Sequence, residues 1–133
     1  MKLAVIMRGL PGSGKSTKAK EIAGEIGVIC SADDFFLDEE GVYRFYGRML
    51  PEAHAGNQLA FRCALMLGVS IVVCDNSNIT RAEYEPYVRM AKEAGYAVSI
   101  SAMPHATPVQ MRERNTHAVP DYALNKIFSR WED

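Results

Sequence analysis

Apolar residues gather into four short runs along the chain, and between the runs they return at helical spacing. Leu3–Met7, Val28–Ser31, Ser70–Cys74 and Ala97–Ala102 are short and rich in β-branched residues, so they read as strands. After the first run, Ala19, Ile22, Ala23 and Ile26 fall at i, i+3, i+4 and i+7, one face of a helix that starts near Lys15 and stops at Gly27. Pro51 to Leu67 reads as a second helix, with Pro51 in its first turn and Leu59, Cys63, Met66 and Leu67 as its core stripe. Thr80-Arg81-Ala82-Glu83 has the form of a capping box opening a third helix, kinked or restarted at Pro86 and stopped at Gly95. A second box, Thr107-Pro108-Val109-Gln110, opens a short helix carrying Arg112 and Arg114. Leu124, Ile127, Phe128 and Trp131 give the last helix a core-facing stripe, which makes Trp131 a packing residue.

Strands alternating with helices are the signature of an α/β protein whose parallel strands are joined by helical crossovers. The expected architecture has three layers, α/β/α, around a mainly parallel sheet of about four to five strands. With 133 residues, 48% hydrophobic content and no linker, repeat or low-complexity tract, residues 1–133 are expected to form one domain. A net charge of −1 gives no global attraction to nucleic acid or an anionic membrane, although a local basic groove stays open. Cys30, Cys63 and Cys74 are odd in number and lack metal-ligand spacing, which favours buried reduced thiols in a cytoplasmic protein. The first apolar run feeds directly into a loop, so neither a signal peptide nor a membrane segment is expected there.

That loop is Gly9-Leu10-Pro11-Gly12-Ser13-Gly14-Lys15-Ser16-Thr17, a match to G-x-x-x-x-G-K-[ST] with a strand before it and a helix after it. Its glycines let successive amides, including those near Gly12, Ser13 and Gly14, point into one anion-binding concavity at a helix N-terminus. Lys15 would reach the β- and γ-phosphates and the Ser16 hydroxyl would ligate Mg²⁺, while Thr17 satisfies the backbone or touches the α-phosphate. The motif and its flanks make the fold a P-loop NTPase/kinase fold. Ligands in such sheets lie beyond the carboxyl ends of the strands, and both remaining ends carry acid. Asp33-Asp34 follows the second strand and Asp75-Asn76-Ser77-Asn78 the third. Asp75 reads as a Walker-B-type acid that holds Mg²⁺ directly or through water, or orients a neighbouring basic group; the plainer reading is a turn or helix cap. Asp33 is placed to accept a proton from an acceptor hydroxyl, with an N-cap as its plainer reading and Asp34 as the alternative base.

Residues 104–120 read as a lid that brings positive charge to the transferred phosphoryl group. Arg112 and Arg114 lie two apart on a helix and face different ways, so one of them points at the phosphates; Arg114 is favoured, and His117 either assists or stays exposed. His54 and Asn57, at i and i+3, share a helix face that could line an acceptor pocket with Phe36, Tyr43, Arg44, Phe45 and Arg48, arginine beside an aromatic suiting phosphate contact and base stacking. The plainer reading there is a surface hairpin with a satisfied histidine and amide.

Taken together and in order, the N-terminal P-loop, "SADDFF", "AHAGN", "VVCDNSN", "EPYVRMAKEAGYAV" and "RERNTHAVP" resemble the kinase domain of bacteriophage polynucleotide kinase. They also resemble related small P-loop kinase-like ATPase domains, including those of some animal ubiquitin-ligase-binding proteins. The resemblance spans essentially the whole chain. It implies ATP as donor, with which the lack of an N-K-x-D guanine motif agrees. It also implies Asp33 as general base toward a 5′-hydroxyl, Asp75 as the acid after strand three, and a lid arginine from Arg112 to Arg114. The chain departs from that pattern at Phe36, where an arginine for the neighbouring phosphate is expected, and in a shorter lid with His117 near an expected basic position. The functional expectation is a kinase using ATP and Mg²⁺, with 5′ ends of single-stranded DNA or RNA as acceptor. The alternatives are a small-molecule kinase acting on a nucleoside, sugar or antibiotic hydroxyl, and a nucleotide-binding module with little turnover.

Overall fold

The four apolar runs become β1 (Leu3–Arg8), β2 (Val28–Cys30), β3 (Ile71–Cys74) and β4 (Ala97–Ala102) of one parallel sheet, ordered β2-β3-β1-β4, in a computed structural model of the chain. The structure describes residues 1–104, 108–114 and 121–133; of Pro108, Met111, Arg112, Asp121, Ala123 and Leu124 it describes the backbone only. The helices are α1 (Lys15–Ala23), α2 (Leu50–Met66), α3 (Arg81–Glu93), α4 (Pro108–Glu113) and α5 (Asp121–Ser129). Short 3-10 turns at Ala32–Phe36 and Gly47–Met49 lie between β2 and α2.

Successive side chains of a strand point to opposite faces, and β1 uses both. Val5 and Met7, with Val73 of β3, pack against Ala19 and Ala23 of α1. Ala4 and Ile6, with Val72 and Cys74, pack against Phe61, Ala64 and Leu65 of α2 and Tyr84, Tyr87, Val88 and Ala91 of α3. The expected three-layer α/β/α arrangement follows, with β1 buried on both sides, as a central parallel strand must be. Register pairs Val5 with Val73 on one side and with Ser99 on the other, so the carboxyl ends of β1, β2 and β3 open onto one crevice.

Several expectations about the helices change. The first helix ends at Ala23, where the chain turns at Gly24 with φ of 57°, so Ile26 lies beyond it and is 69% exposed. On α2 the inward face is Ala53, Asn57, Phe61, Ala64 and Leu65, whereas Leu59, Cys63, Met66 and Leu67 face solvent. Both faces of this helix repeat apolar residues at helical spacing. The inner one wins because it carries the Phe61 ring, which meets Tyr87 edge-on at 5.1 Å. Cys63 is therefore exposed, while burial pushes the Cys30 thiol up to about 11 and the Cys74 thiol up to about 12; all three thiols are free.

The third helix runs unbroken through Pro86, whose missing N–H would have bonded back only into the first turn. Thr80 and Glu83 meet, but side chain to side chain at 3.3 Å rather than side chain to amide. Trp131 lies past the end of α5, and Phe128 is exposed. Thr107 and His117 lie outside the described residues, as do the side chains of Arg112 and Leu124.

Candidate active site

Gly9 follows β1 directly, and its amide donates to the Ser77 carbonyl at 3.1 Å, seating the loop on the residues after β3. A Cβ at Gly9 would come within 2.5 Å of Ser13 Oγ and 3.3 Å of Met103, so a side chain there would push on both. Gly14 caps α1 in the left-handed region (φ 85°) with no side-chain cap, which leaves the first amides of α1 without an intrahelical partner. Ser13 Oγ is buried without a hydrogen-bond partner among the described residues, while Ser16 and Thr17 open to solvent. A tight backbone cradle, free amides, an orphaned hydroxyl and an accessible Ser16 fit a nucleotide polyphosphate and its Mg²⁺.

Lys15 Nζ lies 2.6 Å from Asp75 Oδ1, and both side chains are nearly buried. Of the two roles expected for Asp75, this contact is the second, the orientation of a neighbouring basic group. Asp33 is half-buried on the turn after β2, and the cap of that turn is Ser31, whose Oγ accepts from the Asp33 amide at 3.3 Å. Tyr43 Oη donates to Asp33 Oδ1 at 3.5 Å, a long hydrogen bond, and burial and that carboxylate push the phenol well above its ordinary range. Burial first, then the charges of Asp33 and Asp75, raise the Asp34 carboxyl above the usual carboxylate value. Asp34 therefore feels acids from the ends of two strands.

Arg114 Nη1 donates to the Gly12 carbonyl at 2.9 Å, which brings the end of α4 onto the phosphate loop. The side chain of Arg112 and all of His117 fall outside the described residues.

Two of the expected pocket residues are held in buried packing. Phe36 is 5% exposed and forms a small core with Ala32 and Ala53, its ring 5.1 Å from Phe45 and 6.1 Å from Tyr43. Asn57 is buried on α2, and its Nδ2 donates to Tyr87 Oη at 3.0 Å. Phe36 carries the aromatic layer and is closed to an acceptor, whereas Asn57 satisfies a buried network, which is what a polar residue needs to be tolerated there, and also lines a cavity with Ser31, Asp34, Phe35 and Ala53. His54 is half-buried on α2, and Arg48 is exposed on the second 3-10 turn. Arg44 is anchored to Asp38 at 3.0 Å, and Phe35, Phe45 and Tyr46 stand exposed around Tyr43.

The site also uses residues that sequence reading passed over. Arg8, the last residue of β1, is buried; its guanidinium donates to the carbonyls of Asn78 (2.8 Å), Ile79 (2.9 Å) and Glu132, and lies between the rings of Tyr84 and Trp131. Asn78, at φ 50°, sends Nδ2 to the Met7 carbonyl at 2.7 Å. The available signal was a charged residue ending an apolar strand just before a glycine, and an Asn-Ser-Asn run where a turn would need only one such residue.

A parallel α/β sheet with a lysine-bearing glycine loop after its first strand, acids after the next two and an arginine reaching the loop defines a P-loop, kinase-like nucleotide-binding protein. The chain belongs to the AAA_33 family, an AAA domain, whose model matches residues 5–121. It is similar to human NEDD4-binding protein 2, with 33% identity over 96% of the chain, and spans only 8% of that protein's length. In fold it is similar to a chain of the Pnkp1/Rnl/Hen1 RNA repair complex (TM-score 0.71, 18% identity, 97% of this chain and 43% of that one). It is also similar in fold to Chaetomium thermophilum Kti12 in complex with ADP-AlF3 (TM-score 0.67, 16% identity, 98% of this chain and 80% of that one). No helix among the described residues is long and apolar enough to cross a membrane.

Proposed function

We propose that the chain is an ATP- and Mg²⁺-dependent phosphotransferase whose acceptor is the 5′-hydroxyl of a single-stranded polynucleotide. The observation that carries this reading is the meeting of three parts at one crevice: a phosphate cradle with Lys15, the acids Asp33 and Asp34 beside it, and Arg114 on the Gly12 carbonyl. In the reaction the acceptor oxygen attacks the γ-phosphorus, the bond to the β–γ bridging oxygen breaks, and ADP leaves. Asp33 receives the acceptor proton, oriented by the Tyr43 hydroxyl. Lys15 exchanges Asp75 for phosphate oxygens, and Arg114 exchanges the Gly12 carbonyl for the charge that spreads over the transferred group. Ser16, with Asp75 once Lys15 has turned away, would hold Mg²⁺, which when bound neutralises charge on the β- and γ-phosphates. Exposed Phe35, Phe45 and Tyr46 offer faces on which bases stack, and Arg48 a phosphate contact. Free thiols at all three cysteines suit the reducing cytoplasm.

The test is transfer of labelled γ-phosphate from ATP to 5′-hydroxyl DNA and RNA oligonucleotides, run beside the Lys15→Ala protein. Labelled ends that vanish in the variant are expected. Phe36, buried where an arginine would hold a neighbouring phosphate, favours a second reading in which the acceptor is a small alcohol. Label appearing on nucleosides or sugars but on no oligonucleotide would establish that reading and overturn the first.

A further inference from the structure

The two residues that follow β3 engage opposite sides of the crevice. Asp75 grips Lys15 on the donor side. Asn76 turns to the acceptor side, where its Oδ1 accepts from the Ala32 amide at 2.8 Å, at the first residue of the turn that carries Asp33 and Asp34. Asn76 is itself fixed from below: Nδ2 donates to Tyr87 Oη at 3.2 Å, and Asn57 Nδ2 reaches the same hydroxyl at 3.0 Å and Asn76 Oδ1 at 3.4 Å. All of these groups are buried. A buried polar cluster is costly when any member goes unpaired, and an apolar side chain at position 76 would avoid that risk. What an apolar side chain would lack is a directed acceptor for the Ala32 amide.

We propose that Asn76 is a positioning residue for phosphoryl transfer, setting the reach between the Lys15 side of the crevice and the Asp33 carboxylate by holding the Ala32 amide. The inference rests on the phosphotransferase reading above. Because Asp75 and Asn76 are consecutive, the donor and acceptor sides are referred to one short piece of backbone by the bond to Ala32, while Asn57 and Tyr87 satisfy the buried polar atoms beneath it. Misplacing reacting groups by about 1 Å costs about 10²-fold in rate.

Asn76→Ala and Tyr87→Phe separate positioning from stability. The first removes the bond to Ala32; the second removes the hydroxyl beneath the two amides and leaves that bond in place. In the oligonucleotide transfer assay, Asn76→Ala is expected to lower kcat about 10- to 100-fold, with the KM for ATP within about twofold of the parent. Tyr87→Phe is expected to lower Tm comparably while kcat stays within about threefold. If Asn76→Ala does not fold, Asn76→Leu, of nearly the same shape but with no acceptor for the Ala32 amide, takes its place and is expected to lower kcat by the same 10- to 100-fold; transfer at the parental rate overturns the proposal. It is likewise overturned if Asn76→Ala transfers at the parental rate, or if kcat falls in step with Tm in both variants. A parent protein that binds ATP and labels no acceptor defeats the phosphotransferase reading, whereas an active parent with an equally active Asn76→Ala defeats this inference alone.

Discussion

Arg8 ties the strand beneath the phosphate loop to the residues after β3 and to the C-terminal segment, and Arg8→Met measures what that tie contributes. Methionine keeps the unbranched stem that packs under the rings but deletes the guanidinium, leaving the carbonyls of Asn78, Ile79 and Glu132 without their donor. Hydrogen bonds to a charged group contribute about 1.5–3 kcal/mol each, and stacking between two rings adds about 1–2 kcal/mol when desolvated. Against these stands the cost of burying the charge, several kcal/mol, which the variant no longer bears. The balance is a loss of about 3 kcal/mol, at the lower edge of what breaking a buried charged contact costs. Unfolding entropy for a chain of 133 residues is about 0.3 kcal/mol per kelvin, so Tm should fall by about 10 °C. Differential scanning calorimetry of both proteins reads this directly, and Arg8→Lys should fall between them, since lysine keeps the charge but neither the fork nor the stacking. A drop of less than 3 °C for Arg8→Met would mean that water replaces the guanidinium at little cost, and the reasoning about a buried clamp would fail.

Other expectations follow from the same geometry. Asp33→Asn should cut phosphate transfer by about 10²- to 10⁴-fold while ATP affinity, read by equilibrium dialysis, changes little; near-normal turnover would move the base to Asp34. The folded protein holds the Asp34 proton more tightly than the unfolded chain does, so this group favours folding below the unfolded carboxyl value of about 3.9 and the contribution is lost as pH rises through the raised folded value. Asp34→Asn, which cannot ionise, should therefore melt above the parent at pH 7, with the difference closing as the pH falls below about 3.9; a difference constant with pH would contradict the assigned shift. On α2, Leu67→Lys should change urea-unfolding stability by less than about 0.5 kcal/mol, whereas Phe61→Ala should cost about 3–5 kcal/mol; the reverse order would restore the opposite face to the core.

The strands were legible because a central parallel strand has to be apolar on both faces, and Leu3–Met7 and Ile71–Cys74 are nearly uninterrupted runs. The phosphate loop was legible because few other structures need glycines, lysine and serine at that spacing between a strand and a helix. The facing of α2 was not. Its inner side contains Asn57, and the polar atoms that make an asparagine acceptable there come from Tyr87 and Cys30, far away in sequence. Phe36 failed as a pocket residue for a related reason: the neighbours that bury it, Ala53 and Tyr43, arrive from a helix and a hairpin that spacing cannot place. Asp75 was found by its position at a strand end, but whether a carboxylate there meets a metal or a lysine depends on where Lys15 points. Helical phase said only that Arg112 and Arg114 face different ways; the contact of Arg114 with the Gly12 carbonyl depends on how the segment after β4 folds back, which spacing cannot give.

The contact of Arg8 with Glu132 spans a sequence separation of 124 residues. During synthesis at about 5–20 residues per second, the chain between those two residues takes about 6–25 s to be made. Arg8 is made that long before the Glu132 carbonyl and the Trp131 indole ring that hold its guanidinium. The strand beneath the phosphate loop is therefore braced on this side only after residues 131 and 132 have been made.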